Sequence, residues 1–286
     1  MTFEEFLDNI LVIVVLYRTT IQDCQSITSI TDSLKYRKLN IFVYDNSPEY
    51  NINNVENIDK FQIFYFQDFT NSGVSLAYNE GAIVAQKMNK RWLLLCDQDT
   101  AFTFEYFNEI YNCPKLLETN LFAPKLISNK TQLSPCSFIF NYGSKLKSDL
   151  PSGITLLKGI SLLNSGLLIQ ITSFNKCGGY NPKVFLDFSD FEFLKRFKKC
   201  YSNFYLLDIN LEHHLESIFL KTFNENRFIQ YCKSYRGAIH NFVDFVLIGF
   251  IVLSRSFKQS LVFRTFLPIY IFINFFIIEN NAPQNK

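Results

Sequence analysis

Seven aliphatic residues in a row, Ile10-Leu11-Val12-Ile13-Val14-Val15-Leu16, constrain this chain more than any other segment. A run with no polar alternation has no solvent face, so as a strand it must be covered on both sides, like the centre of a parallel sheet. Ile41-Phe42-Val43-Tyr44, Phe61–Phe66 and Trp92–Cys96 read as further short strands. Loosely amphipathic stretches from Thr20 to Arg37 and from Ser75 to Asn89 suit crossover helices between them. Strands and helices in this alternation predict an α/β fold with a doubly wound, mostly parallel sheet flanked by helices. The middle, about 122 to 171, is irregular with several short strand candidates. Gly178-Gly179-Tyr180 marks a turn, and a helix is predicted over Phe188–Lys199.

The run Leu93-Leu94-Leu95-Cys96 stops on Asp97-Gln98-Asp99. Alternate side chains of an extended or turning backbone share a face, so both carboxylates can enter the crevice at the carboxyl ends of the strands. Like charges held close repel unless a cation lies between them, and a hard divalent ion is the common solution. Asp45, at the end of the second strand, emerges at the same edge, and Asp45-Asn46-Ser47-Pro48 also reads as an Asx turn.

The composition limits the alternatives. A hydrophobic fraction of 48%, with 32 Phe, is high for a soluble enzyme yet too low for a polytopic membrane protein. A net charge of +2 argues against nucleic acid as a partner. None of the seven Cys forms a C-x-x-C pair, which fits a reducing compartment and neither a disulfide framework nor a zinc site. The acidic N-terminus (Glu4, Glu5, Asp8) carries no signal-peptide pattern, so a cytosolic start is expected.

Charge and hydrophobicity change together near residue 226. Residues 227–286 hold seven Lys/Arg against Asp244 and Glu279, a net +5 in the most apolar part of the chain. Phe242–Leu253 is too short to cross a bilayer, and Leu261–Ile278 contains Arg264 and Pro268, with Arg255 and Lys258 between the two. The pattern predicts helices lying in a membrane interface and attracted to anionic lipid; the alternative is a helix pair packed on the domain or in a dimer. The expected division is therefore a domain over 1–226 and a basic, apolar helical region over 227–286.

The ordered set Asp45-Asn46-Ser47, Asn71-Ser72-Gly73, Asn79-Glu80-Gly81, Asp97-Gln98-Asp99, Ser165-Gly166, Gly178-Gly179-Tyr180 and Asp187-Phe188-Ser189-Asp190-Phe191-Glu192 resembles the family 2 inverting glycosyltransferases, most closely their rhamnosyltransferase branch. The likeness spans roughly residues 10 to 240. It implies a GT-A, Rossmann-like fold, a nucleotide-sugar donor and an Mg2+ or Mn2+ cofactor. By the same likeness Asp97 and Asp99 hold the ion, His213 completes its site, and Asp45, Asn71, Gly73, Asn79 and Asp97 line the nucleotide. Asp190, in the acidic motif that precedes the helical Arg196, is the implied catalytic base. Asp187 is the runner-up and a candidate for binding acceptor hydroxyls.

Independently, a helix start places Asp187 and Asp190 on one face and turns Glu192 away. Ser189 stands where many relatives carry another acid, and Glu216 where a Gly is usual. Arg227 and Arg236, interleaved with Phe228, Tyr231 and Tyr235, could face a diphosphate or lipid headgroups.

The expected activity is metal-dependent transfer of a sugar, L-rhamnose from dTDP-rhamnose, onto a glycan or lipid-linked acceptor at the inner face of the cell membrane. A same-fold transferase using UDP-hexose or UDP-galactofuranose, and a silent sugar-nucleotide-binding protein, are the alternatives. A nucleotidyltransferase would need a basic Gly-rich loop after the first strand, and Leu16-Tyr17-Arg18-Thr19-Thr20 has no glycine.

Overall fold

A computed structural model describes residues 1–35, 37–49, 61–214 and 222–279; Glu216 lies outside them. The first half follows the expected alternation: α1 (Phe3–Asp8), β1 (Ile10–Leu16), α2 (Gln25–Ser33), β2 (Leu39–Asp45), β3 (Phe61–Gln67), α3 (Val74–Lys87), β4 (Trp92–Asp97), β5 (Thr100–Ala101) and α4 (Phe104–Tyr111). The predicted first crossover helix is shorter than its polar segment. The irregular middle resolves into β6 (Leu121–Ser128), β7 (Thr131–Ser134), β8 (Cys136–Ile139), β9 (Tyr142–Ser144), β10 (Gly153–Leu156), β11 (Ile160–Ser161) and β12 (Leu167–Gln170).

Among the described residues the main sheet has ten strands, with the path β10-β13-β6-β12-β4-β1-β2-β3, where β13 spans Asn203–His213. β3, β2, β1 and β4 are mutually parallel, and β12 runs antiparallel between β4 and β6. All seven residues of β1 are buried, as its sequence demands. Ile10, Val12, Val14 and Leu16 fill one apolar layer, while Leu11, Ile13 and Val15 fill the other. The period of two thus supplies the cores on both faces of the sheet. Helices α5 (Ile171–Lys176) and α6 (Ser189–Cys200) follow β12, and β8, β9 and β11 form a small separate sheet.

The C-terminal part contains α7 (Glu225–Gly237), α8 (Phe242–Phe263) and α9 (Leu267–Ile271), the last continuing into a π-helical turn over Phe272–Ile277. These helices build a third apolar cluster that draws in Val184 and Phe188 from the segment before α6. Here the structure departs from the sequence reading. The two apolar stretches are not separated by the basic cluster: α8 runs 22 residues through Arg255 and Lys258. Ser, Arg and Lys do not break a helix; the break comes at Arg264, in the left-handed region at φ 51°. Pro268 then sits in the first turn of α9, where its missing N–H costs nothing. By length and composition α8 could cross a membrane. Only a narrow stripe of it is buried, Asp244, Ile248, Val252 and Ser256, four residues apart. Phe250, Leu261 and Phe266 are 71%, 80% and 85% exposed.

Candidate active site

Strand register brings the acids to one edge. Val15 of β1 pairs with Asp97 on one side, and Leu16 pairs with Asp45 on the other. Both carboxylates therefore leave the sheet at its carboxyl end, flanking β1, where open α/β sheets bind ligands.

Asp45 is fully buried. One of its oxygens accepts from the Ser47 amide at 2.9 Å and the other from the Tyr65 hydroxyl at 2.6 Å. The Asx-turn arrangement expected of Asp45-Asn46-Ser47 is present. Beside it, Asp68 at the end of β3 accepts from the Thr70 and Ser72 amides and from the hydroxyls of Thr70 and Tyr44. Partial burial opposes its charge, but those bonds outweigh it and hold the carboxyl at about 2. Sequence reading missed Asp68, although it ends a strand as Asp45 does.

Asn71 adopts the left-handed region at φ 51°, just before Gly73 at φ 89°. The Val74 amide donates to the Phe185 carbonyl at 3.0 Å. A Cβ on Gly73 would collide with that carbonyl oxygen and lie 2.8 Å from the Phe185 ring. Gly73 is where the loop before α3 touches the segment leading to Asp187. Asn79, expected near the nucleotide, spends its amide on Tyr180: its Nδ2 donates to the Tyr180 carbonyl at 2.9 Å, and its Oδ1 accepts from the Tyr180 amide at 2.8 Å. Its task in this structure is to fix the Gly178-Gly179-Tyr180 turn.

Asp97, Asp99 and His213 converge. One ligand atom from each lies within 4.8 Å of the others. Opposite ligands of a small octahedral cation stand about 4.2 Å apart, so slight movement would let three such atoms share one ion. Two carboxylates and an imidazole suit Mg2+ or Mn2+.

The surroundings fix these side chains. Tyr78 donates to Asp97 Oδ1 at 2.9 Å, and the Asp97 amide donates to the Ser165 hydroxyl. Ser165 bonds Thr100 at 2.7 Å, and Thr100 bonds His213 Nδ1 at 2.8 Å. His213 Nδ1 also lies 3.3 Å from Asp99 Oδ1. Burial pushes the Asp97 carboxyl above its ordinary range, against the opposing pull of His213 and the Tyr78 hydroxyl. His214 is exposed, and its backbone amide donates to the Asp99 carbonyl at 2.9 Å. Tyr78 and Thr100 went unnoticed in the sequence, since nothing local signals a bond to a strand so far along the chain.

The second acidic group lies at the start of α6. Phe188, its N-cap, takes the left-handed region at φ 72°, unusual for a bulky residue and worth about 1–3 kcal/mol of strain. The kink it makes sets Asp187 and Asp190 on either side. Asp190 is half-buried, and the Phe191 amide donates to its Oδ1 at 2.7 Å. Burial, reinforced by the charges of Asp97 and Asp187, raises its carboxyl to about 7. Asp187 instead faces Arg227, which donates to both its oxygens.

Glu192 points elsewhere, as its spacing predicts. It is buried, held by Arg196 at 2.7 and 2.8 Å and by His240 Nε2 at 3.0 Å. Arg236 meets Glu279 at 3.2 Å and stacks on Phe245.

A half-buried carboxyl poised near neutrality thus lies within electrostatic reach of an Asp–Asp–His cluster. Such a pairing can remove a proton from one reactant while a cation offsets negative charge on the other.

No family model matches the sequence, and no curated protein matches it. Solved structures do resemble it. The 1-349 piece of S. aureus TarS in complex with UDP superposes with a TM-score of 0.57 at 13% identity, over 88% of this chain and 73% of that one. GalNAc-T7 with UDP, GalNAc and Mn2+ gives 0.56 at 12% identity, over 92% of this chain and 55% of that one. A longer TarS structure gives 0.55 at 15% identity and covers 97% of this chain and 46% of that one. The fold is the GT-A arrangement that the sequence resemblance implied.

Proposed function

We propose that the chain is an inverting, divalent-cation-dependent glycosyltransferase that moves a sugar from a nucleoside diphosphate donor to a hydroxyl of a glycan or lipid-linked acceptor. The observation that carries this reading is the convergence of Asp97, Asp99 and His213, whose ligand atoms lie within 4.8 Å of one another, with the Asp190 carboxyl near enough for its charge to couple to that of Asp97. One acid serves as proton acceptor while the facing group handles the leaving diphosphate.

Bound through Asp97, Asp99 and His213, Mg2+ or Mn2+ supplies the positive charge that a departing diphosphate needs. The chain's own residues do the rest. Asp190 takes the proton of the acceptor hydroxyl as its oxygen attacks the anomeric carbon. The bond to the diphosphate oxygen breaks on the opposite face and carries its electron pair away, so the configuration inverts. Tyr78 and Ser165 hold Asp97, and Thr100 holds His213, so little reorganisation is needed at the moment of reaction. Asp45, Asn71 and Gly73 shape the nucleotide side of the crevice, with Asn79 acting through the Tyr180 turn.

The order of motifs favours dTDP-L-rhamnose as donor. A UDP-hexose or UDP-galactofuranose donor is the second reading, favoured by the UDP present with both TarS and GalNAc-T7. Residues 1–226 form the catalytic part and 227–286 a region that lies on the cytosolic face of a membrane. The exposed apolar residues of α8 and the cations Arg255, Lys258 and Arg264 support that placement.

Sugar nucleotides screened for thermal stabilisation with and without Mn2+ test the reading. The expected result is stabilisation by one donor class, only with the ion, and loss of transfer in Asp190→Asn with donor binding intact. Absence of ion-dependent stabilisation by any sugar nucleotide would overturn it.

A further inference from the structure

Beside the start of α6, the helix that carries Asp190, lies a cavity of about 540 Å3, within the range of small-molecule sites. It is bounded by the β7–β9 strands, the start of α6, and helices α7 and α8. Phe188 and Phe191, which bracket Asp190 in sequence, line it, as do Tyr231 and Tyr235 of α7. The only charged residues among its described lining are cations, Lys145 and Arg255. Arg255 stands 4.4 Å from the Tyr231 ring centroid, which holds its guanidinium against the cavity wall.

We infer that this cavity is the acceptor site, and that it takes a saccharide bearing a phosphoryl group. The assignment rests on the glycosyltransferase reading for its direction of attack, while the binding chemistry stands by itself. Sugar rings present C–H faces that settle on aromatic side chains, with hydroxyls directed at the rim, and five aromatic residues, Tyr142 among them, line this cavity. Two cations and no carboxylate favour an anionic group beside the ring. The cavity adjoins the segment that carries the proposed base: Phe188 and Phe191, on either side of Asp190 in the chain, form part of its wall, and the charge of Asp190 adds to the burial that raises the Cys136 thiol in the same wall. The wall formed by Ile251 and Arg255 belongs to α8, whose outward residues Phe250 and Phe257 are exposed and apolar. A phosphoryl saccharide carried on a lipid could therefore reach the cavity while its chain stays along α8.

Saturation-transfer NMR on the whole chain, with saturating UDP and Mn2+ present, tests this with glucose 1-phosphate, methyl glucoside and dodecyl phosphoglucose as probes. Glucose 1-phosphate should bind without displacement by UDP, and methyl glucoside at least tenfold more weakly. The Lys145→Gln, Arg255→Gln double variant should lose tenfold or more for the phosphorylated probes, with Tm and UDP–Mn2+ binding unchanged. Tighter binding of the dodecyl probe supports a lipid-borne acceptor, and equal binding supports a soluble one. Displacement by UDP, equal binding of methyl glucoside, no binding, or indifference to the double variant would each overturn the assignment. If glucose 1-phosphate binds while UDP–Mn2+ does not, the transferase reading fails and the cavity's ligand class survives.

Discussion

Arg227 grips both carboxylate oxygens of Asp187, with its second nitrogen 2.9 Å from Oδ1. The pair ties α7 to the kink before α6, and it separates two acids that spacing alone left equivalent. A carboxylate held bidentately by a guanidinium is a poor proton acceptor, because taking the proton means losing the pair. Asp190, three residues on, has no such cation among the described residues and carries a raised carboxyl.

The two acids should therefore respond differently to neutralisation. Asp190→Asn is expected to lower kcat by roughly a hundredfold to ten-thousandfold, the range of general-base contributions. Asp187→Asn should cost about tenfold, through misplacement of the kink. Single-turnover rates with the cognate donor measure both. Equal losses would remove the distinction.

The raised carboxyl of Asp190 gives opposite trends in rate and stability. Transfer needs the ionised base, so the rate should climb through about pH 7 and level off above it. Stability runs the other way. The folded state favours the protonated acid, so the cost of ionisation appears as pH rises from the ordinary 3.8 and is complete above 7. Asp190→Asn removes that cost. Its stability should match the parent's near pH 4 and exceed it at pH 8, by on the order of 1–2 kcal/mol after allowing for partial exposure. Calorimetry at the two pH values checks the sign.

Gly73 offers a test of the contact between the loop before α3 and the segment carrying the acids. Gly73→Ala puts a Cβ into the Phe185 carbonyl at a backbone angle L residues avoid. The expected destabilisation is about 2–4 kcal/mol, and the transfer rate should fall further than the fraction of folded protein. Urea titration combined with specific activity per folded molecule separates the two effects.

The cation cluster predicts a third pattern. Asp99→Asn removes a ligand candidate whose carboxylate lies 3.3 Å from His213 Nδ1 within the cluster, so Mn2+-dependent UDP binding should weaken at least tenfold. Binding of UDP without the ion should not change. Isothermal titration with and without Mn2+ reads both quantities, and an unaltered ion dependence would exclude Asp99 from the site.

What the sequence disclosed follows the range of the interactions. Ile10–Leu16 and Trp92–Cys96 declare buried strands through unbroken hydrophobicity, and Asp97, Asp99 and the turn away of Glu192 follow from local periodicity. The job of Asn79 was not legible, because its partner Tyr180 lies 101 residues away. The same holds for the clamp on α6, where Lys195 meets Asn141 at 3.1 Å and also Asp244, and for the Glu192–His240 bond. Nothing local announces a polar partner supplied by a different element. The continuity of α8 is hidden for another reason: Arg255 and Lys258 divide the apolar pattern, although charged residues interrupt an apolar run without interrupting a helix.

That continuity sharpens the expectation for the C-terminal region. A helix whose stripe of Asp244, Ile248, Val252 and Ser256 faces the protein leaves Phe250 and Leu261 to solvent, at 71% and 80% exposure. Each such residue gains about 1.5–3 kcal/mol when fully buried, and a helix lying in the lipid interface recovers part of that. Phe250→Gln and Leu261→Gln together should therefore reduce binding to vesicles of mixed neutral and anionic lipid by tenfold or more, while helix content and UDP–Mn2+ binding persist. Added salt should weaken the parent's binding only partly, because Arg255, Lys258 and Arg264 contribute the screened share and the apolar residues the remainder. If the double variant binds vesicles as the parent does, the exposed face of α8 serves some surface other than a membrane.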